Sequence, residues 1–327
     1  MRSLSGASQA WIAVLALGSF TSTVGCAKVG EIQGKKAFKA ANAAYQQQDY
    51  KKASEYYAVT IAAAPDTPTA NQALFFLGNS LDNQYKPSKK GDAVNDAFLT
   101  RAVDNYQKAA ERLSSSADPA DKKLGKLSLE YLVASYGADK LNDPAKAEPV
   151  VQRMIQLEPA EPSNYFALAK IYEDAGAYDE AEKMLLQAKA AKPGEAAVYM
   201  TLAGYYNRQG RFDKTIEALE ERAAKEPNNA VAFYTIATYY WDEAYRDFKL
   251  KDAEKKDFVA KGMAAVDHAL QIKPDDIDST VYKGLLLRLQ ANLEKDPAKQ
   301  QALLKEAQGL SEKANTMRKA KAAGSAP

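Results

Sequence analysis

Apolar residues recur at helical spacing along most of this chain, and breakers divide the pattern into short paired runs. In Tyr165-Phe166-Ala167-Leu168-Ala169-Lys170-Ile171-Tyr172 the apolar positions fall three and four apart. A break follows at Ala175-Gly176-Ala177-Tyr178, and the period resumes through Ala181, Leu185 and Ala188 before Pro193. Two amphipathic helices joined by a tight turn are predicted, with Gly176 supplying the left-handed residue that ends the first. Tyr199, Leu202, Ala203, Tyr206, Gly210, Phe212, Thr215, Leu219 and Pro227 repeat the pattern at the same offsets. Pro159, Pro193 and Pro227 stand 34 residues apart, each after a helical stretch. Proline has no N–H and restricts the residue before it, so each one stops a helix.

The small residues give a finer ruler. Ala169 on a first helix and Ala181 on a second let the two axes approach, while Tyr172, Tyr178 and Leu185 fill the space between successive pairs. The same spacing of twelve joins Ala41 to Ala53, Ser135 to Ala147 and Ala203 to Thr215. Three further units fit only with the turn lengthened: Gly78 with Ala102, Ala237 with Gly262 and Gly284 with Ala307, each 11 to 13 residues longer than that spacing. The last fits worst, because Lys283 occupies an expected apolar place and no closing proline follows. The extra residues fall near Asn83 to Asp96, expected to be a polar loop, and near Asp242 to Val259, expected to add helical turn with Phe248 and Leu250 covered.

A period of 34 residues with this signature resembles the tetratricopeptide repeat (TPR) over roughly residues 36–316. The resemblance implies an all-α solenoid of about six to seven helix-turn-helix repeats forming a right-handed superhelix. The expected divisions are units one and two over 36–113, a loop or hinge at 114–127, units three to seven with helical insertions over 128–316, and a disordered tail at 317–327.

The first residues read as an address. A short segment carrying Arg2 is followed by apolar Trp11-Ile12-Ala13-Val14-Leu15-Ala16-Leu17 and then Thr23-Val24-Gly25-Cys26. That is the three-part pattern of a secretory signal over residues 1–25. Its end resembles a bacterial lipobox, although Thr23 stands where leucine is usual. The resemblance implies lipid attachment at Cys26, a short tether over 26–35, and a membrane partner reached through the anchor. Ala27 stands where an inner-membrane retention signal would place Asp, which favours the periplasmic face of the outer membrane.

Composition narrows the chemistry. Lys+Arg 44 against Asp+Glu 42 gives +2, without a concentrated basic block, so a nucleic-acid partner is not expected. One cysteine and one histidine, His268, support neither a disulfide nor a metal site. No phosphate loop, nucleophile elbow or paired-histidine metalloprotease motif is present, and no cofactor is implied. The expectation is a binding scaffold and not an enzyme.

In the TPR family the first helix of each repeat lines an inner groove. Carrying that register over places Phe38, Asn42 and Tyr45 there, then Phe75, Asn79 and Asp82, then Leu132, Tyr136 and Asp139. Later repeats contribute Phe166, Lys170 and Glu173, then Met200, Asn207 and Arg208, then Tyr234, Thr238 and Trp241. Aromatics interleaved with amides and single charges suit a protein or peptide partner, and each aromatic has packing between repeats as its competing role. The set does not match a carboxylate clamp, because Phe38 stands where a lysine is needed. The function expected is a membrane-anchored scaffold in the bacterial cell envelope. The alternatives are a permanent structural subunit of an envelope complex and an accessory to an enzyme.

Overall fold

A computed structural model describes the backbone of residues 19–324 and the side chains of residues 28–324. Of the leader expected over 1–25, residues 1–18 lie outside the described residues, as does the Cys26 side chain. Every regular element described is helical, and the chain divides into two compact bodies, one ending at Pro159 and the other beginning at Ala160.

The first body holds three helix pairs: α1 (Ser19–Gln46) with α2 (Tyr50–Ala63), α3 (Pro68–Asp82) with α4 (Ala93–Leu113), and α5 (Pro119–Ser135) with α6 (Pro144–Leu157). The second holds four: α7 (Pro162–Asp174) with α8 (Tyr178–Ala191), α9 (Ala196–Arg208) with α10 (Phe212–Lys225), α11 (Ala230–Arg246) with α12 (Asp252–Ile272), and α13 (Ile277–Asn292) with α14 (Pro297–Ala322). This is an all-α fold of the TPR type with seven helix pairs among the described residues.

The boundaries follow local chemistry. Proline opens α3, α5, α6, α7 and α14, where its missing N–H costs nothing. Asp49, Asp92, Asp118, Asp143, Asp276 and Asp296 cap helix starts by accepting from backbone N–H groups. Gly176 and Gly210 take φ of +76° and +66°. The N–H groups of Ala177 and Arg211 then reach back to the carbonyls of Tyr172 and Tyr206, closing a Schellman turn in each case.

The lengthened units keep their small residues buried; the unit of α3 and α4 places most of its extra residues in the connection, and the two later ones place theirs mostly in helix. α4 and α12 run 21 residues each and α14 runs 26, against 14 for α8 and α10. The loop after α3 is tied down by Asn95, whose amide bonds to the Lys86 and Lys89 carbonyls and whose oxygen accepts from the Lys86 N–H. The expected cover over Phe248 is missing: it lies between α11 and α12 with 86% of its surface exposed, while Leu250 is half-buried. Residues 26–35 are turns of α1, continuous with the helix that follows. They lie on the end of α2 because Gly30 and Gly34 carry no Cβ to meet the Ala63 and Thr60 carbonyls. Of the 114–127 segment, only Ser114–Asp118 is turn, and α14 continues to Ala322 through most of the tail.

Glu182 fastens three helices of the second body. It accepts from the Tyr206 hydroxyl at 2.9 Å, from Lys214 Nζ at 2.8 Å and from the Arg211 guanidinium. Burial alone would raise its carboxyl, but the hydrogen bonds from Arg211, Lys214 and Tyr206 outweigh it and hold the group down at about 2. A carboxylate with a lowered folded-state value stabilises fully above its ordinary 4.5 and loses that contribution as pH falls toward about 2. The free energy of unfolding therefore falls more steeply with falling pH across that window in the wild type than in Glu182→Gln, which is the less stable of the two at neutral pH.

Gly125 gives a second test. A Cβ there would fall on the Ser114 amide nitrogen and 2.6 Å from the Leu113 carbonyl carbon, whereas one on Gly309 of α14 meets nothing within 4 Å. Helix propensity alone favours alanine by about 1 kcal/mol at either place. Gly309→Ala should gain most of that in urea unfolding, and Gly125→Ala should instead lose about 1–3 kcal/mol to overpacking.

Candidate functional site

The groove candidates of the first body lie on α1, α3 and α5 and in the turn after α5. On α1, the Phe38 ring meets Tyr57 and Phe76 edge-on, with centroids 5.8 and 6.4 Å away. On α3, Phe75 is buried against Phe76, Tyr106 and Tyr131. Leu132 and Tyr136 of the third pair are buried, and the Tyr136 hydroxyl accepts from Gln107 of α4. These apolar and aromatic candidates are taken up in packing, because burying a large ring between helices removes more apolar surface from water than leaving it on the face.

The polar candidates converge. The Tyr45 hydroxyl donates to Asn79 Oδ1 at 2.7 Å, which also accepts from Asn83 Nδ2 at 3.0 Å. Asn42 accepts from the Tyr57 hydroxyl at 2.7 Å. Tyr45, Asn79 and Asp82 line a cleft of about 370 Å³, completed by Tyr50, Asn83, Tyr131 and Lys140. Asp82 and Lys140 form an ion pair at 2.6 Å with side chains only 8% and 19% exposed. Burial pushes the Tyr45 phenol up, helped by the neighbouring Tyr50 and Tyr131, so it is a neutral donor at ordinary pH. Asp139 lies exposed in the turn beyond α5 and does not line the cleft.

Register could not reveal the rest of this cleft. Lys140 sits in a turn 58 residues from Asp82, with no local pattern linking them. Tyr131 occupies a packing position whose ring also borders the cleft.

The second body distributes its candidates differently. Phe166 is half-buried on α7. Lys170 is exposed and pairs with Asp174 on its own helix. Glu173 of α7 and Arg208 of α9 form a two-toothed ion pair at 2.8 and 2.9 Å. The hydrogen bond from Arg208 lowers the Glu173 carboxyl against the opposing effect of burial. Met200 sulfur accepts from the Arg222 guanidinium at 2.9 Å, and Asn207 is exposed. The Thr238 hydroxyl is committed to the Thr235 carbonyl of its own helix. Tyr234 meets Tyr282 edge-on at 5.3 Å, and Trp241 stacks on Tyr245 at 5.1 Å while meeting Tyr282 edge-on at 5.6 Å. Trp241 thus belongs to an aromatic row shared by α11 and α13. His268 is exposed, with its ring stacked on Phe233.

The Asp82–Lys140 pair is testable directly. Lys140→Met would leave a shielded carboxylate without its cation and should lower stability by about 2 kcal/mol, less than for a fully buried pair because Lys140 keeps some solvent. Adding Asp82→Asn should recover most of that loss in chemical unfolding.

Residues 140–205 match the tetratricopeptide repeat family. No curated protein sequence matches the chain. Among solved structures, the C-terminal part of a TPR repeat-containing protein from Cytophaga hutchinsonii superposes with a TM-score of 0.53 at 11% identity, covering 86% of this chain and 98% of that one. A tetratricopeptide repeat protein from Parabacteroides merdae has a TM-score of 0.45 at 13% identity, over 84% of this chain and 99% of that one. YrrB, described as a TPR protein with an unusual peptide-binding site, has a TM-score of 0.38 at 18% identity, over 67% and 98%. Residues 140–205 thus match the tetratricopeptide repeat family, and the paired helices across the described residues share the fold of such repeats.

Proposed function

We propose that this protein is an exported, lipid-anchored TPR scaffold that holds a polypeptide partner on the inner face of its first body and performs no catalysis. A TPR fold is suited to protein or peptide binding. The observation that supports the reading most is the polar cleft at α1, α3 and α5. A peptide backbone brings N–H donors and C=O acceptors that must be satisfied when water is removed. Phenol and amide groups serve as both donor and acceptor, while the Asp82–Lys140 pair offers one of each with formal charge. The leader pattern and Cys26 support export and anchoring in the bacterial envelope, with the periplasmic face of the outer membrane favoured by Ala27. Among the described residues no helix is long and apolar enough to cross a membrane, so attachment through a lipid would be the route to the bilayer.

Two measurements check the two halves of the reading. Peptides selected on the full chain from a random-sequence library should bind about tenfold more weakly to Asn83→Ala/Tyr131→Phe, a loss equal to one or two net hydrogen bonds. The phenylalanine keeps the ring contacts with Phe75 and Tyr106, so packing is preserved. Unchanged affinity would place the peptide elsewhere. Cys26→Ala should abolish incorporation of labelled palmitate and release the protein from the membrane fraction. Retention of both would refute the anchor.

A further inference from the structure

The first body carries another cavity, of about 290 Å³, whose chemistry is opposite to that of the polar cleft. It opens where the first turns of α5 meet the last turns of α6 and the backbone at Ser114. Leu129, Met154, Leu157 and the ring of Pro119 make its wall, and the methylene stems of Lys122, Lys123 and Lys126 extend it. The hydroxyl of Ser114, which also borders it, is already donated to the Ala110 carbonyl at 2.5 Å.

The rim is cationic. Lys126 Nζ is bonded to Glu158 at 2.6 Å, which neutralises that end. Lys122 and Lys123 are exposed and enter no ion pair among the described residues. The positive end of the α5 dipole lies beside them and adds to the same potential. An occupant must therefore have an apolar body and an anionic head.

Size and polarity then choose between an alkyl chain and a polypeptide. The cavity is at the small end of the roughly 300–1,000 Å³ typical of ligand sites, and a helix with side chains is about 10 Å across. An extended peptide would bring backbone N–H and C=O groups to a largely apolar wall, with no amide side chain and one hydroxyl whose proton is already donated, and unsatisfied groups are costly. A methylene chain brings none. Met154 provides an unbranched, polarisable side chain that adapts to such a chain.

We propose that this cavity binds a single-chain alkyl carboxylate, with the chain against Leu129, Met154 and Leu157 and the head group between the Lys122 and Lys123 ammonium groups. Binding here is separate from the peptide cleft and does not depend on it.

The test is calorimetric titration of the full chain with dodecanoate and with dodecyltrimethylammonium, each below its micelle concentration. One saturable site for dodecanoate and none for the cation is expected. Lys122→Glu/Lys123→Glu should weaken dodecanoate by about tenfold or more, since two attractive charges become repulsive. Acidic residues in the first turns of a helix are compatible with its dipole, so this variant should fold. Leu157→Trp, which fills the cavity, should also weaken binding, and circular dichroism monitors its fold. The proposal is overturned by absence of saturation, by equal affinity for both head groups, by dodecanoate binding that ignores the lysine reversal, or by an acidic amphipathic peptide that binds at these lysines while dodecanoate does not.

Discussion

A buried small residue on each helix of every pair is the constraint on which the rest of this structure rests. Ala41 and Ala53, Gly78 and Ala102, Ser135 and Ala147, Ala169 and Ala181, Ala203 and Thr215, Ala237 and Gly262, and Gly284 and Ala307 are all buried. Neither member of any pair is larger than threonine, so the two axes can approach until backbone and Cβ atoms touch. A Cβ on Gly78 would stand 3.1 Å from the Ala102 carbonyl, and one on Gly284 would stand 3.4 Å from that of Ala307. With the axes fixed there, the remaining width between pairs is filled by large side chains.

Tyrosine supplies much of that filling, and its hydroxyl ties packing to the inner face. Tyr57, Tyr106, Tyr199 and Tyr205 are among the largest fully buried side chains. A buried phenol needs a partner. Tyr57 donates to Asn42, Tyr199 to the Pro193 carbonyl and Tyr205 to the Tyr178 carbonyl, while Tyr106 lies 3.5 Å from Asp82. In the first body the partners Asn42 and Asp82 are residues that the family register places in the groove. Asp82 therefore meets a core tyrosine and also lines the cleft, whereas Asn42 holds Tyr57 without lining it.

This double use explains how far the sequence could be read. The small-residue spacing is local, and it identified all seven helix pairs, including the one at Gly284 that Lys283 made doubtful; Lys283 reaches Asp267 with its ammonium at 2.7 Å and is only half-buried. Turn glycines at 176 and 210 were legible for the same reason. Contacts made across repeats were not. Nothing local separates Phe38 or Phe75, whose rings pack between helices, from Tyr45, whose hydroxyl borders the cleft. Lys140 enters through a turn, and its pairing with Asp82 is visible only once three helices are assembled. Gly30 and Gly34 fall in the segment expected to be a tether, yet here they let α1 lie against the backbone of α2.

Recognition of a polypeptide by the α1, α3 and α5 face of the first body, as proposed, can be tested in the cell. The most direct measurement is photocrosslinking in intact cells with a benzoyl-phenylalanine residue placed in turn at Asn83, beside the cleft, and at Val59, exposed on the second helix of the first pair. Adducts that form at position 83 but not at 59, and that disappear when the peptide selected on the purified protein is expressed in the same compartment, are the predicted result. Equal capture at both positions, or adducts at 59 alone, would contradict it.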